Sequence, residues 1–440
     1  MKQKQVFNNA KWIIICKIAQ SVLQLIIGMI SARYLGPSNY GLINYAASIV
    51  AFAMPIMKLG LDAILVHQLV ESPESEGEIM GTSLFLNVVS SFLCMAGVCG
   101  FAFLVNMGQR ETIIVCALYS VTIFFAALEM MQYWFQYKLL SKYSSLIMLV
   151  GYVFVSAYKI FLLATGKSIY WFAFSHSVEY GAIGILLLLF FGKKSNSRLS
   201  VSLARAKKML KISRHYILAA LMVVVIQNID RVMLTTMVSE TENGYYSAAV
   251  TSAAVAQFVF MAIIDSFRPL ILESKKNDQL EYEKNMSKLY GAILYLSLAQ
   301  SVMFTIFAPL VVKVLYGAEF APAVGVLRIL TWYTGFAYMG SLRNIWLLAE
   351  EKQRYLPAIN LSGVVLNVAI NLFVIPRFGA MGAATVSFIT QFFMNFVLTL
   401  VLKPLRPCNR LMLKGLMPNF FFPQLKEALE IIFKKEKPLK

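Results

Sequence analysis

The sequence predicts an all-α, polytopic membrane protein: about twelve transmembrane helices in two six-helix lobes related by an internal repeat, with a central cavity between the lobes. Three observations carry this. Of the 440 residues 59% are hydrophobic and 14% charged, with a mean hydropathy of +0.67, too little charge to clothe a water-soluble domain of this length. Apolar runs near the ~20 residues that cross a ~30 Å hydrocarbon core recur from end to end, without the alternation of membrane-barrel strands. One short segment recurs at the same place in each half.

The N-terminus starts basic and turns apolar, as a secretory signal does. Lys17 interrupts the apolar core and no small-residue cleavage site follows, so the first span, 12–32, reads as an uncleaved helix. The turn ARYLGPSNYG, 32–41, comes next: Gly36 and Pro37 break one helix and Asn39 offers a start for the second. Hydropathy sets the following spans at 41–64, 81–105, 112–131, 145–165 and 169–191, then at 215–238, 246–267, 288–308, 324–348, 357–375 and 380–402. The expected domains are an N-terminal lobe (1–191), a basic cytoplasmic linker (192–214), a C-terminal lobe (215–402) and a basic cytoplasmic tail (403–440). In that tail Leu425, Ala428, Leu429, Ile432 and Phe433 have the spacing of an amphipathic interfacial helix; a solvated tail is the alternative.

Orientation follows the basic residues. With the N-terminus inside, cytoplasmic segments hold about 28 of the 40 Lys and Arg and outer loops about 5, as the positive-inside rule requires. Both termini are then cytoplasmic. The formal net charge of +18 reads as a topology signal and not as nucleic-acid binding.

The repeat is WFQYKLLSKY at 134–143, which aligns without a gap on WLLAEEKQRY at 346–355. Both leave the fourth span of their half, and each is followed at equal spacing by a glycine, Gly151 or Gly363. A fainter echo joins SNYGLINYAAS, 38–48, to ENGYYSAAV, 242–250.

An ionisable side chain inside a span is expensive unless it faces protein or water, so each is a functional candidate. The cations are Lys17, Lys58, Lys159, Arg231, Arg328 and Arg343, candidates for an anionic substrate. Arg328 and Arg343 share the tenth span, ~22 Å apart and rotated by ~60°, so one face can offer cations at two depths. The carboxylates Asp62, Glu129, Glu179 and Asp230 are candidates for coupling transport to a proton or Na⁺ gradient, or counter-ions for those cations. Lys58 and Asp62, four apart, can neutralise each other on one helix, and Asp265 with Arg268 reads as a structural pair. Glu129 has no basic residue in helical reach. His176, three before Glu179, reads as a satisfied polar pair.

Enzymatic motifs fail. Gly166-Lys167-Ser168 ends like a phosphate-binding loop, but Phe161 stands where the upstream glycine belongs. There is no HExxH, three histidines make a catalytic metal improbable, and the five cysteines fit no zinc or disulfide framework. No cofactor is expected.

Arg33-Tyr34-Leu35-Gly36-Pro37 with Tyr40-Gly41, Leu59-Gly60-Leu61-Asp62, Asp230-Arg231 and Gly244-Tyr245-Tyr246-Ser247-Ala248-Ala249 together resemble the signatures of the oligosaccharide flippases. These are Wzx-type polysaccharide biosynthesis proteins of the multidrug/oligosaccharidyl-lipid/polysaccharide exporter superfamily. The likeness runs to about Leu402. One departure is His67-Gln68 with the acidic run ESPESEGE, where many relatives carry Arg-Glu. The resemblance implies a transporter and not an enzyme. It would move undecaprenyl-diphosphate-linked oligosaccharide across the bacterial inner membrane by alternating access, for O-antigen, capsule or exopolysaccharide. A polysaccharide polymerase and a chain-length regulator are the implied partners. Its diphosphate would meet the membrane cations, Arg343, Arg231 and Lys17 first. The alternatives are a multidrug or organic-cation antiporter of the same superfamily, and a membrane polysaccharide polymerase or ligase, for which the outer connections are short.

Overall fold

Side chains face outward here in a way water would not permit: Phe92, Leu93, Phe103 and Leu104 on one helix are all more than half exposed, as on a helix whose solvent is lipid. The computed structural model describes residues 2–195, 197–420 and 422–423, which are mainly helical and contain no strand. The helical spacing expected around 425–433 lies outside them. Among the described residues nine stretches are long and apolar enough to cross a membrane, so this is a multi-pass, all-α membrane protein.

The chain forms two compact units, Met1–Ser247 and Ala248–Lys440. The first holds α1 (Lys2–Met57), α2 (Leu65–Glu71), α3 (Glu76–Val105), α4 (Arg110–Ala126), α5 (Met131–Tyr137), α6 (Ser141–Ala164), α7 (Ile169–Lys194) and α8 (Leu203–Met237), and α9 (Glu240–Ala253) begins in it. Within it α1 packs on α3, α4, α6 and α8. The second holds α10 (Gln257–Asn277), α11 (Gln279–Tyr316), α12 (Ala323–Ala349), α13 (Leu356–Phe392), α14 (Leu398–Val401) and α15 (Arg406–Leu416). There α11 packs on α10, α12 and α15.

Several helices outrun their expected spans, because hydropathy registers only the apolar part while a helix continues until a cap or breaker stops it. Ser202 caps α8 by accepting the Arg205 amide (3.3 Å), well inside the expected linker. Asp278 caps α11 through the Leu280 amide (2.8 Å). At its other end α11 runs on past Pro309 to Tyr316, where Gly317 (φ 92) ends it. The connection left between the expected spans 288–308 and 324–348 shrinks accordingly.

The stretch ARYLGPSNYG contains a true break. Gly36 (φ 73, ψ 172) interrupts α1, in a conformation glycine adopts without penalty, and Pro37 starts the second half with its φ preset. Asn39 differs from expectation. Its Nδ2 donates back to the Leu35 carbonyl (3.1 Å), so it closes the first helix and does not cap the second. The stretch also meets its own echo. A Cβ on Gly41 would lie 2.7 Å from the Gly244 nitrogen, and one on Gly244 would lie 2.8 Å from the Pro37 carbonyl carbon. Asn243 Nδ2 donates to the Gly41 carbonyl (2.8 Å). Backbone touches backbone, which only glycine at both places allows.

The longer repeat is reproduced bond for bond. After Trp134 the amides of Lys138, Leu139 and Leu140 donate to Trp134, Gln136 and Phe135; after Trp346 those of Glu350, Glu351 and Lys352 donate to Trp346, Leu348 and Leu347. Leu139 (φ 57) and Glu351 (φ 54) occupy the same left-handed position, one that costs a side-chain-bearing residue roughly 1 kcal/mol. Leu139→Gly and Glu351→Gly are therefore each expected to stabilise the detergent-solubilised protein, by about 0.5–1 kcal/mol. Thermal unfolding followed by size exclusion would detect it, and a fall in the midpoint would refute the assignment.

Candidate functional site

Eight of the ten singled-out charges fall in the first unit. The chain leaves α1 at Met57 and turns through Leu59 (φ 53) and Gly60 (φ 67) into a 3-10 turn, Leu61–Ala63. Lys58 and Asp62 are therefore not four apart on one helix, as their spacing implied, and among the described residues no ion pair within 4.0 Å joins them. Asp62 Oδ1 instead accepts the Ala63 amide (3.1 Å). Glu129 sits opposite, on the 3-10 stretch Ala127–Met130 between α4 and α5. Lys58, Asp62 and Glu129 line one narrow cavity with Asn87, Gln132 and Tyr133. The cation that Glu129 lacks on its own helix is supplied by the fold, since Lys58 lies within its electrostatic reach.

Gln132 also lines a wider, neighbouring cavity of about 370 Å³ with Lys17, Gln20, Gln136, Ser141, Ser144 and Ser145. That volume is in the range of small-ligand sites. Its named walls carry one ammonium, several carboxamides and hydroxyls, and no carboxylate.

A second polar layer lies between α4, α6 and α7. Glu179 is 6% exposed. His176 Nδ1 lies 3.9 Å from Glu179 Oε2 and stacks beside Tyr119 with ring centroids 4.7 Å apart. Lys159 is within electrostatic reach of both Glu179 and His176. Tyr152 and Tyr180 sense Glu129 as well as Glu179, so the two carboxylates stand on one tyrosine-lined seam. Arg231 joins through Tyr119 and donates from Nη1 to Asn228 Oδ1 (3.1 Å). Asp230, 4% exposed, accepts the Tyr246 hydroxyl at 2.6 Å, from α9. Among the described residues no cluster of three metal-ligating side chains occurs.

The tyrosines and amides were not singled out from sequence. With 21 Tyr and 32 Phe in the chain, nothing in the local sequence separates Tyr119, Tyr133, Tyr152 and Tyr180 from packing aromatics.

The second unit holds the other two cations, and they are not offered on one face. Arg328 is exposed and donates to the Thr305 carbonyl (3.2 Å). Arg343 is 4% exposed. Its Nη1 donates to the Met394 carbonyl (3.1 Å) and Asn395 Oδ1 (2.7 Å), and its Nη2 to Asn344 Oδ1 (3.2 Å). Met394 and Asn395 belong to a π-helical turn, Phe393–Val397, whose wider ring frees a carbonyl for the guanidinium. Among the described residues no carboxylate pairs with Arg343. Asp265 and Arg268 on α10 are both exposed, and no ion pair within 4.0 Å joins them either.

Comparison with known proteins follows the same lines. The family described as polysaccharide biosynthesis protein matches residues 6–275. The capsular polysaccharide biosynthesis protein CapF of Staphylococcus aureus is 20% identical over 398 residues, 88% of this chain and 96% of that protein. Among solved structures, the lipid II flippase MurJ in an inward closed conformation superimposes with a TM-score of 0.71 at 15% identity, over 97% of this chain and 93% of that one. An inward-facing multidrug resistance MATE family transporter of the MOP superfamily gives 0.69 at 12% identity, over 89% and 95%. At such identities the structures share the fold.

Proposed function

This chain belongs to the polysaccharide biosynthesis protein family, and from that premise we propose that it is a flippase for undecaprenyl-diphosphate-linked oligosaccharides. It carries them from the cytoplasmic to the outer leaflet of the bacterial inner membrane, for capsule, O-antigen or exopolysaccharide assembly. The observation that supports this most is the polar seam of the first unit, where Lys58, Lys159 and Arg231 gather inside an otherwise apolar chain, with Lys17 on the neighbouring cavity. A lipid-linked diphosphate sugar has an anionic centre, a hydroxylated head and a long apolar tail. Cations at several depths answer the first, the amides and tyrosines the second, and lipid-facing helices the third. The description of CapF favours capsule, and the likeness to a lipid II flippase favours a lipid-linked sugar.

The stretches Ile15–Met57 and Gln353–Val401, 43 and 49 residues long, each hold two crossings, bent at Gly36 and at Gly379 (φ 52). With α12 added, the total is twelve, six per lobe, with both termini cytoplasmic and the Gly41/Gly244 contact at the outer side. Alternating access then opens and closes that contact. A polymerase and a chain-length regulator act on the exported unit. Arg343, held by the π-helical turn, becomes a substrate contact only when that turn opens, and Arg328 is the outermost cation.

Glu129, beside Lys58, and Glu179, beside Lys159, are the carboxylates through which a proton or Na⁺ gradient drives the cycle. Glu129→Gln is expected to remove the gradient-dependent part of transport while leaving the protein in the membrane. Transport of a fluorescent lipid-linked sugar into proteoliposomes, with and without a pH or Na⁺ gradient, measures it. An unchanged gradient response would discard Glu129. The function itself is tested by complementing a strain that lacks its own flippase. Restored surface polymer is expected; drug resistance without polymer would overturn the reading in favour of a multidrug antiporter.

A further inference from the structure

Glu76 opens α3 within the acidic run ESPESEGE, yet it is 5% exposed. Four donors meet on its carboxylate. Lys138 Nζ lies 2.5 Å from Oε2, while Trp134 Nε1 (2.7 Å), Ser195 Oγ (3.1 Å) and Ser197 Oγ (3.2 Å) converge on Oε1. A buried carboxylate persists only when it is paired and bonded in this manner. Burial pulls the Lys138 ammonium down, and Glu76 more than reverses that, leaving it above the ordinary lysine range.

The two serines lie in the connection between α7 and α8, where residues 195 and 197–202 are non-helical, and Arg198, Ser200 and Ser202 also lie along α3. The Ser200 amide donates to the Gly77 carbonyl (3.2 Å) and the Ser202 amide to Thr82 Oγ1 (3.1 Å). Gly77 and Gly81, one helical turn apart, make the groove. A Cβ on Gly81 would lie 2.7 Å from the Ser200 nitrogen, and one on Gly77 would lie 3.0 Å from the Arg198 carbonyl carbon. Beyond the Ser202 cap, α8 keeps touching α3: Arg205 Nε reaches Glu78 Oε1 (2.9 Å) and Met209 Sδ meets Ser83 Oγ (4.0 Å).

The second half shows what is added here. Glu350 stands where the repeat has Lys138, and its ion pair has the opposite polarity, Lys275 Nζ lying 2.5 Å from Glu350 Oε1. Each pair ties the end of a fourth-span helix to the junction between the second and third spans of its half. Among the described residues, only the first-half acid also binds the connection that follows its half.

We propose that Glu76 is a positioning residue and that it and the Gly77/Gly81 groove form a permanent dock for the linker. The first turns of α8 then travel with α3 and α5 throughout the cycle, and the chain flexes beyond those turns, not between α7 and α8. The expected transport phenotype rests on the flippase reading; the dock does not.

The test uses the full-length chain in native membranes, its five cysteines replaced by alanine, with Thr82→Cys and Ser202→Cys added. An oxidant is expected to crosslink it in high yield and leave polymer export unchanged. Glu76→Gln and Gly81→Val are each expected to speed tryptic cleavage after Arg198 about tenfold or more, the scale of a lost charged hydrogen bond. Failure to crosslink, loss of export on oxidation that reduction restores, or cleavage unmoved by both variants would overturn the proposal. If the unaltered chain exports nothing, the flippase reading falls, while crosslinking and cleavage still decide the dock.

Discussion

Lys58→Glu is expected to cut polymer export by about a hundredfold or more while the protein still reaches the membrane. Lys58 shares one cavity with Glu129 and Asp62, so the reversal replaces that cation by a third carboxylate. At an effective dielectric near 20 and separations of several ångströms, each attraction lost and repulsion gained is worth about 2–4 kcal/mol, and about 3 kcal/mol is already a hundredfold. Lys58→Arg keeps the charge and is expected to retain most activity. The swap Lys58→Glu with Glu129→Lys separates the two roles of Lys58. If it restores export, Lys58 serves only to neutralise Glu129; if export stays lost at normal protein level, mutual neutralisation is not the whole role of the pair. Immunoblots of surface polymer against membrane protein measure all three.

Gly244→Val is the second large effect. The new Cβ would fall 2.8 Å from the Pro37 carbonyl carbon and 3.1 Å from its Cα, and backbone there cannot swing aside as the tip of a side chain would. Overpacking of this kind costs about 3 kcal/mol, so a fall of several degrees in the thermal midpoint is expected. Pro37→Ala should fail to rescue it, because the collision is with the carbonyl and the main chain and not with the proline ring. In the transport reading the variant cannot close its outer side, so a cysteine at Tyr133 becomes open to an impermeant maleimide added outside. A stable, closed, exporting Gly244→Val protein would refute the contact as a seal.

Much of the fold was legible in the sequence, and for definite reasons. Apolar run length reports a bilayer directly, because hydrocarbon offers backbone groups no partner except within a helix. The repeat of Trp134 and Trp346 was visible because both copies must end a helix the same way, down to one left-handed residue each. Gly36-Pro37 announced its break because no other pair of residues breaks a helix so cheaply. The helix ends were less legible. Polar extensions such as the first turns of α8 carry no hydropathy signal, and their caps, Ser202 and Asp278, are common residues in loops as well.

The candidate site was legible as a list of charges and not as an arrangement. Lys58 and Asp62 looked like a helical pair until Leu59 and Gly60 turned the chain. Glu129 looked solitary until α1 brought Lys58 to it. Arg328 and Arg343 looked like two rungs of one ladder, but α12 leaves one exposed and buries the other against a π-helical turn. Glu76, one of four acids in the run ESPESEGE, proved to be a buried hub.

By itself the sequence determined that the chain lives in a membrane, that it is helical and internally repeated, and which few side chains are too polar to be there for packing alone. These are local properties, set by residue chemistry and by spacing along one helix. Which charges share a cavity, which are already satisfied, and which glycines let backbones touch were decided only by the tertiary structure. Those facts depend on residues far apart in the chain, whose meeting is fixed by how helices pack and turn and leaves no mark on the neighbouring sequence.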